Sequence, residues 1–288
     1  MERIIVFNKN FLRFLRQGRP LFNMLRSPQY NFKRLINYLL IRIQFTLRTT
    51  RVIGYPYDII IDPCNICMLH CPLCPTGIGD TSRTKAILSF RLFKKIIDEI
   101  GEYVISVNFS NWGEPLLNRH LPEMIEYCKK VKYIPFVKFD TNLNVVLTKN
   151  TARRLLLSGL DLLSVSIDGV TQETYEKYRR GGDLRKVFDN LKLLIDERQK
   201  LGLEKPYIIW QFLVFKHNLH EIEEAIKIAR KLVDAIKIAS ARAYTGTDVI
   251  KPTKENYEIS KDYLPSPGSP WSHYDKDLKR VGSKKICD

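Results

Sequence analysis

Six short apolar runs alternate with helix-like segments between Tyr57 and Ala239, and this alternation predicts an α/β fold of parallel strands joined by right-handed crossovers. The 288 residues are 44% hydrophobic and 27% charged, a balance that excludes a disordered chain and permits one large core with flanking segments. The residues of unusual chemistry fall just after the apolar runs, where parallel α/β folds carry their sites. An open doubly wound sheet and a complete or partial barrel both satisfy these observations.

The first 50 residues are expected to be mostly helical. Leu12, Leu15 and the run from Leu21 to Leu25 are interleaved with Arg13, Arg16 and Arg26, which outlines a basic amphipathic face. Ile41 to Leu47 alternates with a period of two and is also readable as a strand. From Tyr57 the pattern becomes regular. Tyr57–Asp62 predicts a strand, and Leu88–Ile100 a helix stopped by Gly101. Val104–Phe109 predicts a strand, Leu121–Val131 a helix, Phe136–Asp140 a strand and Lys149–Leu157 a helix ending before Gly159. Leu162–Ile167 predicts a strand that leads through a loop into a long helix from Leu184 to about Lys200. Tyr207–Phe215, Glu221–Leu232 and Ala235–Ala239 predict a strand, a helix and a last strand. Beyond residue 240, Pro252, Pro265, Pro267 and Pro270 break the pattern, so residues 241–288 are expected to be a linker or extension. The expected organisation is a basic segment over 1–52, a catalytic unit over 53–240 and an extension over 241–288.

The net charge of +16 is uneven. Residues 1–52 hold 11 Lys/Arg against the single acid Glu2, whereas residues 53–288 hold 36 basic and 30 acidic side chains. A basic arm of this kind suits phosphate or acidic lipid, or packs as a helix on the body. The N-terminus lacks a cleavable signal pattern, and Leu35–Leu47 is too short to span a bilayer, so the expected location is cytoplasmic.

Four of the six cysteines lie between Cys64 and Cys74, directly after the first regular strand. Such a cluster in a reducing compartment means metal or redox chemistry rather than structural disulfides. Paired zinc hairpins need a longer spacer than the three residues between Cys67 and Cys71. Bacterial ferredoxin runs have another spacing order and a second run to share ligands with. The remaining reading takes Cys67, Cys71 and Cys74 as Cys-x3-Cys-x2-Cys, three thiolates that leave the fourth iron of a [4Fe–4S] cluster open to a reactant.

That stretch resembles the signature of the radical S-adenosylmethionine superfamily. The likeness extends to Gly113-Glu114-Pro115 after the second strand, Thr141-Asn142 after the third and Ser166-Ile167-Asp168-Gly169 at the end of the fourth. Tyr175, Arg179, Arg180, Gly181 and Gly182 follow, as in the branch whose members carry a C-terminal SPASM extension. The resemblance covers about residues 56–240 and implies a partial (β/α)6 TIM-like barrel. It implies a [4Fe–4S] cluster on Cys67, Cys71 and Cys74, which reductively cleaves S-adenosylmethionine to a 5′-deoxyadenosyl radical. Two positions depart from the pattern: Met68 where Asn is usual, and Leu73 where an aromatic often packs near adenine.

The resemblance also assigns roles. Glu114 would accept hydrogen bonds from the methionine ammonium, with Gly113 allowing close backbone approach and Pro115 stiffening the turn. Asn142 follows the third strand beside them. Ser166 would reach the methionine carboxylate or ribose, and Arg179 would offer its donor fork to the carboxylate, with Arg180 the alternative one register away. Asp168 would accept from a ribose hydroxyl or cap the following turn. Gln211 and Asn218 are candidates for the mouth. Cys64 is expected to be a bystander, Cys128 a core residue, and Trp112 either substrate-bordering or packed. His70, His120, His217, His220 and His273 show no shared metal spacing.

Cys287 resembles the first ligand of a SPASM extension, which predicts a truncated fragment. The expected partners are S-adenosylmethionine, a substrate that the SPASM likeness suggests is a peptide or protein side chain, and an electron donor such as flavodoxin or ferredoxin. A small metabolite or glycan precursor is the alternative substrate. A basic zinc-binding module docking on nucleic acid or membrane is the reading from another class, although the chain lacks the aromatic–basic strand motif of an RNA-recognition sheet.

Overall fold

The computed structural model describes residues 2–12, 31–79, 84–242 and 254–274. In chain order the elements are β1 (Glu2–Val6), α1 (Phe32–Leu47), β2 (Asp58–Ile60), α2 (Phe90–Ile100), β3 (Ser106–Asn108), α3 (Leu121–Glu126), β4 (Phe136–Thr141) and α4 (Lys149–Leu157). They continue with β5 (Leu162–Ser166), α5 (Gln172–Tyr178), α6 (Leu184–Lys200), β6 (Tyr207–Val214), α7 (Ile222–Leu232), β7 (Ala235–Ser240) and α8 (Lys254–Tyr263).

The sheet order is β1-β7-β6-β5-β4-β3-β2, and β2 to β7 are all parallel. Sequence neighbours are therefore spatial neighbours throughout the parallel part. A doubly wound sheet reverses order at a switch point, and this one does not, so the fold is a partial barrel. Unreversed right-handed crossovers put the helices on one side. Val137 and Phe139 of β4, and Trp210, Phe212 and Val214 of β6, are buried in the core that also holds α2, α4, α6 and α7. The alternate residues are more polar, and the register sets Asp140 beside Ser164 and Ser166 beside Gln211.

Local signals account for the helix ends. Ser89 caps α2 by accepting from Leu92 N, Thr148 caps α4 through Thr151 N, and Asp183 caps α6 through Lys186 N. Gly159, at φ +92°, follows the end of α4. The helix expected over Leu121–Val131 is α only to Glu126 and continues as a π turn over Tyr127–Val131.

The N-terminal expectation needs correcting. Residues 2–6 form a strand, not a helix, because β7 has a free edge that β1 closes by antiparallel pairing. Ile41–Leu47 is the second half of α1 rather than a strand, since Arg34, Asn37 and Gln44 hold that helix by side-chain hydrogen bonds. The basic run of residues 13–30 lies outside the described residues, as does Pro252 in the extension. Neither α5, in the loop after β5, nor α8, beyond the last strand, was expected; both are short and rich in polar residues.

Candidate active site

The loop after β2 carries the cysteine cluster and is pinned to three other strand-end loops. Glu114 N donates to the Ile66 carbonyl (2.8 Å), and His70 N to the Arg180 carbonyl (3.0 Å). Asn118 Nδ2 bridges the Pro63 and Leu88 carbonyls at 3.0 and 2.9 Å. Gly113 sits at φ +93°, and a Cβ there would overlap the Cys64 carbonyl oxygen, so only glycine lets the β3 loop close on the cysteine loop.

Cys67, Cys71 and Cys74 are free thiols that line one cavity of about 420 Å³. Gly113, Glu114, Asn142, Ser166, Arg179 and Gln211 line the same cavity. Asn142 Nδ2 lies 3.3 Å from Cys67 Sγ, and Leu69 N donates to the same sulfur at 3.4 Å. Burial pushes the Cys67 thiol up to about 11 and the Cys71 thiol up to about 12.

Glu114 is a buried carboxylate. Its Oε1 accepts from Thr141 Oγ1 (2.6 Å) and Leu116 N (3.1 Å), and its Oε2 accepts from Asn142 N (2.8 Å). Among the described residues it has no salt-bridge partner. Burial raises its proton affinity, and the three donors oppose that shift. Arg179 is the opposite charge on the same wall. Its Nε donates to Asp168 Oδ2 at 2.6 Å, while Nη1 and Nη2 make no hydrogen bond to the described residues. Burial works against the Arg179 charge, and Asp168 with the neighbouring acidic groups more than restores it.

The cavity therefore combines an unpaired carboxylate, a guanidinium with its fork unused and three thiols. An α-amino acid moiety carries the complementary ammonium and carboxylate. Among the described residues no three His, Cys, Asp or Glu side chains gather closely enough for a single metal ion. Three sulfurs spread around one cavity suit a polynuclear iron–sulfur centre better than a lone zinc. The residues present thus fit a three-cysteine cluster with an amino-acid chelator beside it.

Three expected contacts fall elsewhere. Leu73 does not line the cavity; it packs with the apolar cluster around Leu69, Tyr178 and Phe215. Pro115 is buried in a 3-10 turn, where it stiffens the loop without facing the cavity. Asp168 is fully buried with both oxygens engaged, Oδ2 by Arg179 and Oδ1 by Leu213 N (2.7 Å), so it positions Arg179 instead of meeting a ribose. Arg180 points away and donates to Tyr263 Oη at 2.8 Å. Asn218 is not in the mouth; it is buried and ties Asp168 O, Leu213 O and Phe215 N together. Cys64 donates its thiol to the Glu114 carbonyl at 3.1 Å and does not line the cavity. Cys128 is buried in the core, and Cys287 lies outside the described residues.

The sequence reading missed the wall formed by Asn108, Ser110 and Asp140, which also line the cavity. Ser110 Oγ contacts Asn108 Oδ1 at 2.8 Å and Asp140 Oδ2 at 3.0 Å. The available signal was positional, since these residues end or follow β3 and β4.

Comparison with known proteins agrees with this geometry. Streptococcus suis SuiB bound to precursor peptide SuiA superposes with a TM-score of 0.56 at 15% identity, covering 88% of this chain and 57% of that one. SuiB bound to S-adenosylmethionine gives 0.55 at 15% identity, covering 78% of this chain and 50% of that one. At such identity the likeness is one of fold, and it is the fold of a parallel partial barrel. The Radical SAM superfamily matches residues 61–229, more than half of the chain, so this protein belongs to that superfamily of enzymes. Its members bind a [4Fe–4S] cluster and S-adenosylmethionine. GTP 3′,8-cyclase of Clostridium botulinum (strain Hall) is 25% identical over 181 residues, covering 63% of this chain and 54% of that protein. The enzyme of that name from Thermodesulfovibrio yellowstonii is 30% identical over 154 residues, covering 54% and 46%. The chain spans about half the length of the curated relatives it matches.

Proposed function

We propose that Cys67, Cys71 and Cys74 ligate a [4Fe–4S] cluster and that the cavity beside them holds S-adenosylmethionine for radical abstraction of hydrogen from a substrate. When bound, the cluster supplies the electron that cleaves the sulfonium carbon–sulfur bond, and the 5′-deoxyadenosyl radical so released takes hydrogen from a substrate carbon. The protein's own residues bind and orient. Glu114 accepts from the methionine ammonium, and Arg179, held by Asp168, offers Nη1 and Nη2 to the carboxylate. Ser166 and Asn142 face the same volume from neighbouring strand ends.

The observation that carries this reading is the presence of a buried Glu114 with no ion-pair partner among the described residues, and of an Arg179 whose Nη atoms are unbonded, on the wall that holds the three thiols. Anaerobic reconstitution tests it. The expected protein is brown, carries about four irons per chain, and forms 5′-deoxyadenosine from S-adenosylmethionine under dithionite. A colourless chain with one zinc, or a cluster that S-adenosylmethionine leaves spectroscopically unchanged, refutes it.

For the substrate, a peptide or protein side chain is the reading supported by the Ser166–Gly182 segment, which resembles that of the SPASM branch. The solved SuiB complex holds a precursor peptide on the same fold. A small metabolite is the second reading, favoured by the GTP 3′,8-cyclases among the sequence relatives. Electrons would come from a donor such as flavodoxin or ferredoxin. On this reading residues 53–240 are the catalytic unit, between a basic segment and an extension. Co-expression with short peptide genes found beside this gene separates the two: a mass change in a peptide supports the first, and peptides unaltered by an active enzyme support the second.

A further inference from the structure

Helix α1 buries polar side chains and exposes an apolar stripe. On the face against the body the buried side chains are polar, with Leu35, Tyr38 and Ile41 half-buried beside them. Arg34 is buried and donates to the carbonyls of Gly101 (2.9 Å), Lys132 (2.6 Å) and Tyr133 (3.0 Å). Buried Asn37 exchanges two 2.8 Å hydrogen bonds with the Tyr55 backbone. Gln44 donates to the Arg51 carbonyl at 2.5 Å and accepts from Ile53 N at 3.3 Å. The outward face is apolar. Phe32, Ile36, Leu39, Ile43 and Leu47 recur every three or four residues, which puts them on one stripe, and all five are exposed, Phe32 at 63%, Ile43 at 55% and Leu47 at 67%. Val52 and Ile53, in the segment that follows, extend the exposed apolar surface at 74% and 65%. A surface helix ordinarily turns such a stripe to the core, and a contiguous exposed one marks a docking surface.

Charge selects the occupant. No Asp or Glu occurs between Glu2 and Asp58, whereas 11 Lys/Arg do. Lys33 is paired with Glu102 at 2.7 Å. Arg42, on the flank of the stripe, and Arg48 and Arg51, past its end, are exposed and make no ion pair with the described residues. A second copy of this face would bring like charges together. An anionic lipid surface accepts the apolar stripe and pairs the arginines. The helix has 16 residues, and no helix among those described is long and apolar enough to cross a membrane, so the fitting geometry lies in the interface. Its anchors precede β3 and β4, at the strand ends opposite to the cysteine cavity, so docking leaves the mouth facing away from lipid.

We propose that α1 and the segment to Ile53 form an interfacial face that docks the protein on anionic membrane. The proposal does not depend on the chemistry at the cysteine cavity. Its test is sedimentation of the full chain with vesicles of phosphatidylcholine, alone or mixed with phosphatidylglycerol. The expected result is partition onto the mixed vesicles about tenfold or more above the neutral ones, weakening as salt is raised. Combined Ile36→Ser, Leu39→Ser and Ile43→Ser should abolish partition while circular dichroism and melting stay at wild-type values. Arg42→Gln with Arg48→Gln and Arg51→Gln, which leaves the stripe intact, should remove the preference for phosphatidylglycerol. Equal partition onto both vesicles, no partition of the wild type, or wild-type partition of both variants overturns the proposal. So does a doubled mass by light scattering that the serine variant halves, or vesicle binding that appears only after residues 13–30 are deleted, because either result assigns the face to protein.

Discussion

Arg34 is a buried guanidinium and Arg179 a largely buried one, and they lie at opposite ends of the barrel. Arg34 commits its two Nη atoms to three backbone carbonyls beneath α1. Arg179 commits only Nε, to Asp168, and leaves the rest of its fork on the cavity wall. A guanidinium whose Nη atoms are both bonded to backbone holds structure together; one whose Nη atoms are unbonded, on a wall shared with a carboxylate that has no ion-pair partner, is placed to meet a ligand of complementary charge. The apolar counterpart of that contrast appears at α1 itself, where the hydrogen-bonded side is the buried one and the apolar side faces out.

The comparison breaks most readily at the thiols. Replacing Cys67, Cys71 or Cys74 with Ala should eliminate bound iron in anaerobically reconstituted protein, while Cys64→Ala should retain it, because Cys64 lies outside the cavity and bonds the Glu114 carbonyl. Iron retained in Cys71→Ala, or lost in Cys64→Ala, would falsify the ligand assignment.

Next in size are the buried pairs. Asp168→Ala leaves the largely buried Arg179 without its ion-pair partner and should cost about 3 kcal/mol of stability, read as a large fall in melting temperature. Arg34→Met strands three carbonyls and should cost about 2–3 kcal/mol while leaving S-adenosylmethionine affinity unchanged. Equal loss of cofactor affinity in Arg34→Met would erase the distinction between the two arginines.

Glu114→Gln keeps the shape and the three donors nearby but removes the charge. It should weaken S-adenosylmethionine binding by about 10- to 100-fold, the worth of a charged hydrogen bond, with iron content intact. The smallest effect belongs to α1. Ile43→Ser should change stability by no more than about 0.5 kcal/mol, since the side chain is more than half exposed. A larger loss would mean that the stripe is covered within the chain.

Much of the barrel was legible because hydrophobic periodicity is local. Lys149–Leu157 and Leu184–Lys200 are predicted at their observed bounds, each with an oxygen-bearing cap and an apolar face. Strand ends were harder, since Val104–Phe109 is expected as one strand yet only Ser106–Asn108 pairs. Residues 2–6 form a strand because β7 leaves an open edge, a fact outside any short window. Of the site, the three cysteines, Glu114, Asn142, Ser166 and Arg179 line one cavity. Asp168 and Arg180 show the limit: their residue types suit ligand contact, but neighbours decide whether an oxygen or a guanidinium is already engaged.

The sequence alone determined the alternation of strands and helices, the spacing of the thiols and the acid-free basic run, because each is a property of composition or of residues a few positions apart. Only the tertiary structure decided that the strands keep sequential order, that Asp168 serves Arg179, and that α1 turns its apolar stripe outward. Those outcomes depend on hydrogen-bond partners tens of residues away in the chain: Gly101, Lys132 and Tyr133 for Arg34, and Leu213 for Asp168. A side chain's burial is set by which distant group satisfies it, and no local pattern carries that information.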